Sequence, residues 1–192
     1  MTGADEVHRS VVRYPGGYAV RYRWAGSGRA KDVFALSEAG GRLFDHGTLV
    51  SPEPDRLCRA EMRVESPVGT WTARFASPIF DGPTAMYWDA HGLLVVKYGF
   101  RAYALDARSG ELRWSRDSGT PILDVLGSSR LDHVIVQSEV ETAAVRADGS
   151  VAWRIAHSDV VTGADLVAGR LVLTSYAHAV ASYDAASGRA LG

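Results

Sequence analysis

Leu93-Leu94-Val95-Val96-Lys97-Tyr98-Gly99-Phe100-Arg101-Ala102-Tyr103-Ala104-Leu105-Asp106-Ala107-Arg108-Ser109-Gly110 has a second copy in the same chain, from Leu171 to Gly188. The two align without a gap, which sets Tyr98 on Tyr176, Asp106 on Asp184 and Ser109-Gly110 on Ser187-Gly188. A third copy runs from His133 to Gly149 with a shorter turn. The turn glycines Gly110, Gly149 and Gly188 therefore recur 39 residues apart, and Trp114 and Trp153 follow two of them at the same interval. An earlier copy, residues 33–44, matches 103–114 with a one-residue deletion, and Val68-Gly69-Thr70-Trp71 is a degenerate one.

Each copy reads as short strands. Apolar or alternating runs of a few residues are bounded by Ser-Gly, Asp-Gly and Gly-Gly turns, and sustained helical periodicity is absent. A period near 40 residues built of four short strands is that of a propeller blade. A four-stranded sheet that is apolar on both faces cannot cover itself, and stacking such sheets around an axis buries those faces. The recurrent Trp114 and Trp153 are expected to fill the space between neighbouring blades. The strands of one blade fall at 84–89, 93–98, 101–106 and 111–117, and those of the next at 122–126, 133–138, 142–146 and 151–155. The last blade has strands at 161–167, 171–175 and 179–184. Strands are also expected at 18–24 and 32–36.

The fold class is thus all-β, a small β-propeller of four-stranded blades. Five blades are expected, with four as the alternative. Residues 1–192 form one domain, with 47–83 irregular or a degenerate blade because of Pro52, Pro54, Pro67, Pro78 and Pro83. The last blade lacks an outer strand, and residues 8–14 are expected to supply it and so remove two open edges.

Tyr103-Ala104-Leu105-Asp106-Ala107-Arg108-Ser109-Gly110-Glu111-Leu112-Arg113-Trp114 resembles the repeat of pyrroloquinoline-quinone-type (quinoprotein-like) propellers. The resemblance is strong over residues 92–192 and weak before them. It implies a propeller akin to WD40 folds but does not imply one function. The quinone-dependent dehydrogenases of that family use a vicinal cysteine pair, a calcium site and about eight blades. A single Cys58 cannot form such a pair, and 192 residues are too few for eight blades of about 40. No cofactor is expected.

Composition excludes further classes. The chain is 46% hydrophobic and 22% charged, too apolar for a disordered segment. The formal charge of −1 offers no general attraction to nucleic acid or anionic membrane, and neither is expected as a partner. No apolar run reaches the ~18 residues that span a bilayer, and no apolar leader is visible at the start. A soluble, cytoplasmic protein is expected. Cys58 reads as a small buried hydrophobe rather than a nucleophile.

Propeller loops sort by face. Connections from the fourth strand to the next blade, and turns between the second and third strands, share one face. His46, His157 and His178 fall there, each near an acid or an aromatic. They are the candidate acid/base groups if the protein is an enzyme. Metal-ligand spacing is absent, so no metal is expected. Trp24, Tyr98, Arg101, Asp159 and Tyr176 are the candidate ligand-binding residues of the same face. Two functions follow. The first is a non-enzymatic module holding a protein or small-molecule ligand on that face. The second is a small-molecule enzyme (lyase, cyclase or hydrolase) with its site at the mouth of the axis.

Overall fold

The computed structural model describes residues 6–35, 42–44 and 57–192, with 42–44 as backbone only. Two compact units emerge. One comprises Met1–Pro83 with the turn Asp106–Glu111, the other Thr84–Leu105 with Leu112–Gly192. Among the described residues the strands form four sheets, one five-stranded and three four-stranded, and these are the blades of a small β-propeller.

The second unit follows the repeat. Its first sheet is β6 (Thr84–Trp88), β7 (Leu93–Tyr98), β8 (Arg101–Asp106) and β9 (Leu112–Asp117). The next is β10 (Ile122–Leu126), β11 (His133–Ser138), β12 (Glu141–Arg146) and β13 (Val151–Ala156). The last is β14 (Val161–Val167), β15 (Arg170–Ser175), β16 (Val180–Asp184) and β17 (Ala190–Leu191). The strands β7 and β11, each built on a run of consecutive apolar residues (Leu93–Val96 and Val134–Val136), are buried along their whole length, as strands covered on both faces must be. Val95, Ala102, Ala104 and Trp114 of one blade pack with Val134, Val136, Ala143 and Val145 of the next. Ile135 then packs with Val161, Leu171 and Leu173 of the last.

The tryptophans act at the turns. Trp114 pairs with Ala104, and Trp153 with Ala144, each just past a bulge. A Cβ on Gly149 would lie 2.9 Å from Trp114, and one on Gly188 2.7 Å from Trp153, so only glycine lets each indole lie on the following blade's turn. The Trp153 indole N–H donates to the Ala186 carbonyl at 3.1 Å. Buried His133 adds a second tie, its Nε2 lying 2.9 Å from the Ala185 carbonyl oxygen.

The first unit holds one sheet, ordered β1-β2-β4-β5-β3. Its strands are β1 (His8–Tyr14), β2 (Tyr18–Ala25), β3 (Arg42–Phe44), β4 (Cys58–Ser66) and β5 (Gly69–Ser77). Two sequence expectations are corrected here. Residues 8–14 do not complete the last blade: β1 pairs with β2, and the last blade takes its outer strand from its own Ala190–Leu191. The tight Pro15–Gly17 connection, with Gly16 and Gly17 both at φ 78°, makes the local hairpin cheaper than closure with a distant strand. The described blades also number four rather than five, because the N-terminal hairpin and the Trp71 strand share one sheet.

Nor is there a strand at 32–35. Ser27–Asp32 is a 3-10 helix, and the Val33 and Phe34 carbonyls accept from Arg23 and Arg59, both at 2.6 Å, instead of from a neighbouring strand. Within the stretch 47–83, β4 and β5 pair in unbroken register from Cys58↔Ser77 to Ser66↔Gly69. Cys58 is buried, which pushes its thiol pKa up and makes it a packing residue. No helix among the described residues is long and apolar enough to cross a membrane.

Candidate functional site

The loop between β13 and β14 and the turn between β15 and β16 meet at one end of the second unit. Backbone bonds set this up and recur from blade to blade. Ile122 N–H donates to Gly99 at 2.9 Å, and Val161 N–H to Glu139 at 2.7 Å. Tyr176 N–H then donates to Val160 at 2.7 Å, as Glu139 N–H does to Pro121 at 3.3 Å. The starts of β10 and β14 are thereby pinned to the turn of the preceding sheet.

A cleft of about 250 Å³ opens there, between Ala156, His157, Ser158 and Asp159 on one side and Ser175, Ala179 and Tyr183 on the other. Val161, Leu173 and Ala181 form its apolar lining. His157 is half-buried, and its Nε2 lies 2.7 Å from the Thr142 Oγ1. The Thr142 hydroxyl donates its one proton to Gln137 Oε1 at 2.5 Å, and Gln137 Nε2 donates to the Ser138 carbonyl at 2.7 Å. Thr142 can then only accept from His157, which assigns the imidazole proton to Nε2 and leaves the lone pair on Nδ1. Burial holds the His157 pKa below the ordinary histidine value, and the nearby Glu141 carboxylate opposes this only in part. Glu141 is itself clamped by Arg116 at 2.9 Å and Arg154 at 2.8 Å.

Asp159 works differently. The Ser175 hydroxyl beside it, with the N–H groups of Ala177 and Val160, holds its carboxyl below the usual carboxylate range. The Val160 and Ala177 bonds measure 2.8 and 3.2 Å. The carboxylate is thus ionised and occupied in stapling the turn to the loop.

The structure therefore brings two of the sequence candidates, His157 and Asp159, onto one cleft, with Tyr176 and His178 on the turn that borders it. Tyr176 is 74% exposed. His178 sits at the turn's left-handed position, φ 61°, and its N–H donates to Ser175 at 2.9 Å. Tyr98 ends β7 and is buried, while Arg101 is bound through both nitrogens to Asp117, one bond at 2.6 Å. Trp24 lies in the other unit, stacked on His8 at 5.3 Å and packed against Gly82. His46 lies outside the described residues. Among the described residues no group of His, Cys, Asp or Glu is placed to hold a metal ion.

Sequence reasoning missed Ser175, Thr142 and Tyr183. One signal existed: Ser138 and Ser175 both end the second strand of their blades. The gapless alignment of Tyr98 with Tyr176 hid it. β8 begins at Arg101, two residues beyond the turn's start, whereas Ser175 N–H bonds Ala179 around a longer turn. The longer turn carries Tyr176 off the strand and into solvent.

With that geometry in hand, comparison with known proteins identifies the repeat. The family described as outer membrane protein assembly factor BamB matches residues 98–191. The crystal structure of BamB from Moraxella catarrhalis superposes with a TM-score of 0.55 at 16% identity, over 97% of this chain and 49% of that one. A computationally designed protein, Ika8, superposes with a TM-score of 0.53 at 8% identity, over 95% of this chain and 59% of that one. The chain thus spans about half the length of the BamB structure, and at these identities the likeness is one of fold. No curated protein matches it. The repeat of the C-terminal half is of the quinoprotein-like propeller type.

Proposed function

We propose that the protein is a non-enzymatic binding module that holds a partner in the cleft between the β13–β14 loop and the β15–β16 turn. A propeller of this type supports an interaction role in general, and the family whose model matches residues 98–191 is described as an outer membrane protein assembly factor. The observation that carries the reading is the state of the cleft's polar groups. The Asp159 carboxylate is taken up by the backbone N–H groups of Val160 and Ala177, and His157 Nε2 by Thr142, so these groups shape a rigid surface. Val161, Leu173 and Ala181 offer the apolar contact that a partner's side chain would cover.

A photo-crosslinking residue at Ala179, which lines the cleft, tests this in cells. One discrete protein adduct is expected, absent when the crosslinker stands at Ala186 in a turn at the other end of the blade. Adducts at both positions, or none at Ala179, would overturn the reading. One observation favours the enzymatic alternative: neutral His157 keeps a lone pair on Nδ1 and is suited to act as a base. In that case His157→Ala abolishes turnover of a small-molecule substrate while the unfolding midpoint stays put.

A further inference from the structure

β1 reads His8-Arg9-Ser10-Val11-Val12-Arg13-Tyr14 and, among the described residues, is an edge strand of its sheet, paired with β2 alone. Period-2 alternation sets Arg9, Val11 and Arg13 on one face. The register carries that face across the sheet, with Arg21 and Arg63 in line with Val11, and Arg23 and Glu61 in line with Arg9. The opposite face holds the core, with Val20, Met62 and Val64 fully buried. A sheet covered on one side only leaves its other side to solvent, and here that side is basic.

Some of this charge is spent internally. Arg21 and Arg63 share Glu65 at 3.2 and 3.7 Å, Arg74 takes Glu61 at 3.1 Å, and Arg23 is drawn to the Val33 carbonyl. Arg9 and Arg13 are exposed and have no acidic partner among the described residues. Between them Val11 is 51% exposed, and Val12 on the other side of the strand is 38% exposed. A groove of about 280 Å³ runs beside them, lined by Arg9, Val11, Arg21, Arg23, Glu61 and Arg63. The corresponding first strands of the other sheets, β6, β10 and β14, contain no arginine or lysine. The basic edge strand is therefore a property of this sheet and not of the repeat.

We propose that β1 is a docking edge for an acidic, extended segment of a partner protein. The segment adds as a further antiparallel strand. Main-chain hydrogen bonds to the open edge supply affinity, and every second side chain supplies specificity. Cross-strand neighbours face one another at about 5 Å, so carboxylates two positions either side of an apolar residue meet Arg9 and Arg13 while that residue covers Val11. The same arginines repel the edge of a second copy of this chain, a common protection of exposed strands, so an acidic strand is admitted and a like one refused. A nucleic acid would satisfy the arginines but would leave Val11 and Val12 uncovered. This docking edge lies in a different unit from the cleft and does not depend on it.

Three fluorescein-labelled peptides test the inference by anisotropy with the full chain. One carries Glu-Val-Val-Val-Glu, the second has Lys in place of Glu, and the third is the Glu peptide with its alternate backbone amides N-methylated. The Glu peptide is expected to bind, in the micromolar range. The Lys and N-methylated peptides are expected to bind at least about tenfold more weakly. The double variant Arg9→Glu with Arg13→Glu should reverse the preference between the Glu and Lys peptides, and that reversal also shows that the variant is folded. Equal binding of Glu and Lys peptides overturns the proposal. So does full binding by the N-methylated peptide, which would mean a charged surface without strand addition. Tighter binding of a single-stranded RNA of equal charge overturns it in favour of a polyanion site.

Discussion

β2 and β7 occupy different kinds of sheet, and their sequences differ accordingly. In β2, Tyr-Ala-Val-Arg-Tyr-Arg-Trp-Ala, residues alternate between buried Val20 and Tyr22 and outward Arg21 and Arg23. In β7, Leu-Leu-Val-Val-Lys-Tyr, every residue is buried. Alternation marks a sheet covered on one face, and a continuous apolar run marks one covered on both. In the second unit the blades cover one another, and Trp114 and Trp153, on the fourth strands β9 and β13, meet the turn glycines Gly149 and Gly188 of the blades that follow. In the first unit the outward face is instead basic, and it binds the segment before residue 36 through arginines. Arg59 is buried, donates to the Phe34 carbonyl at 2.6 Å and lies 5.5 Å from the centre of the Phe34 ring. Apolar stacking joins the blades, whereas guanidinium-to-carbonyl bonding attaches the irregular segment.

The largest expected effect tests the stacking. Trp114→Ala removes a buried indole between blades and should cost about 3–5 kcal/mol in urea unfolding. A loss below about 1 kcal/mol would break the contrast between the two units. Gly188→Ala comes next, and Gly92→Ala serves as its reference. Both glycines have positive φ, 71° and 61°, but a Cβ at Gly92 meets nothing within 4 Å. The shared backbone strain is about 1–2 kcal/mol. Gly188→Ala should cost a further 1–3 kcal/mol or so because Trp153 must move. Equal costs would mean that the indole-on-glycine contact is not structural.

Arg59→Ala tests the first unit, where an expected loss of roughly 1–3 kcal/mol comes from the abandoned Phe34 carbonyl and the lost ring contact. An unchanged midpoint would show that the irregular segment is held by other means. The smallest effects are pH-dependent and arise at the cleft. The folded pKa of His157 is lowered, so below its ordinary value of 6.5 the unfolded chain takes up a proton that the folded one refuses. Stability should therefore decline as pH falls from 6.5 through the depressed folded pKa, and His157→Gln should remove that slope. Asp159 has the carboxylate behaviour. Its lowered pKa gives stability above the ordinary value of 3.8 that is lost as pH falls through the folded pKa. Asp159→Asn should lower the thermal midpoint at pH 7 and leave it unchanged at pH 2, and a loss of equal size at both would contradict the ionised staple.

The residues by themselves determined the blades of the second unit. Strands expected at 93–98, 101–106, 122–126, 133–138 and 161–167 are the observed β7, β8, β10, β11 and β14. Those bounds are set by turn glycines, Asp side chains that accept from the turn backbone, and apolar period, all of which act within a few residues. Tertiary structure decided which strand lies beside which. Whether residues 8–14 close the last blade or pair with β2 depends on a competition between a local hairpin and a remote edge, and no local pattern reports it. The same holds at the cleft. His157 and Asp159 were visible as loop residues, but His157 owes its proton position to Thr142 and Gln137 on two other strands. Asp159 owes its charge to Ser175 and Ala177 on another turn. Hydrogen bonding and burial among residues distant in sequence exist only once the sheets have packed, and for that reason the site's chemistry became readable only in three dimensions.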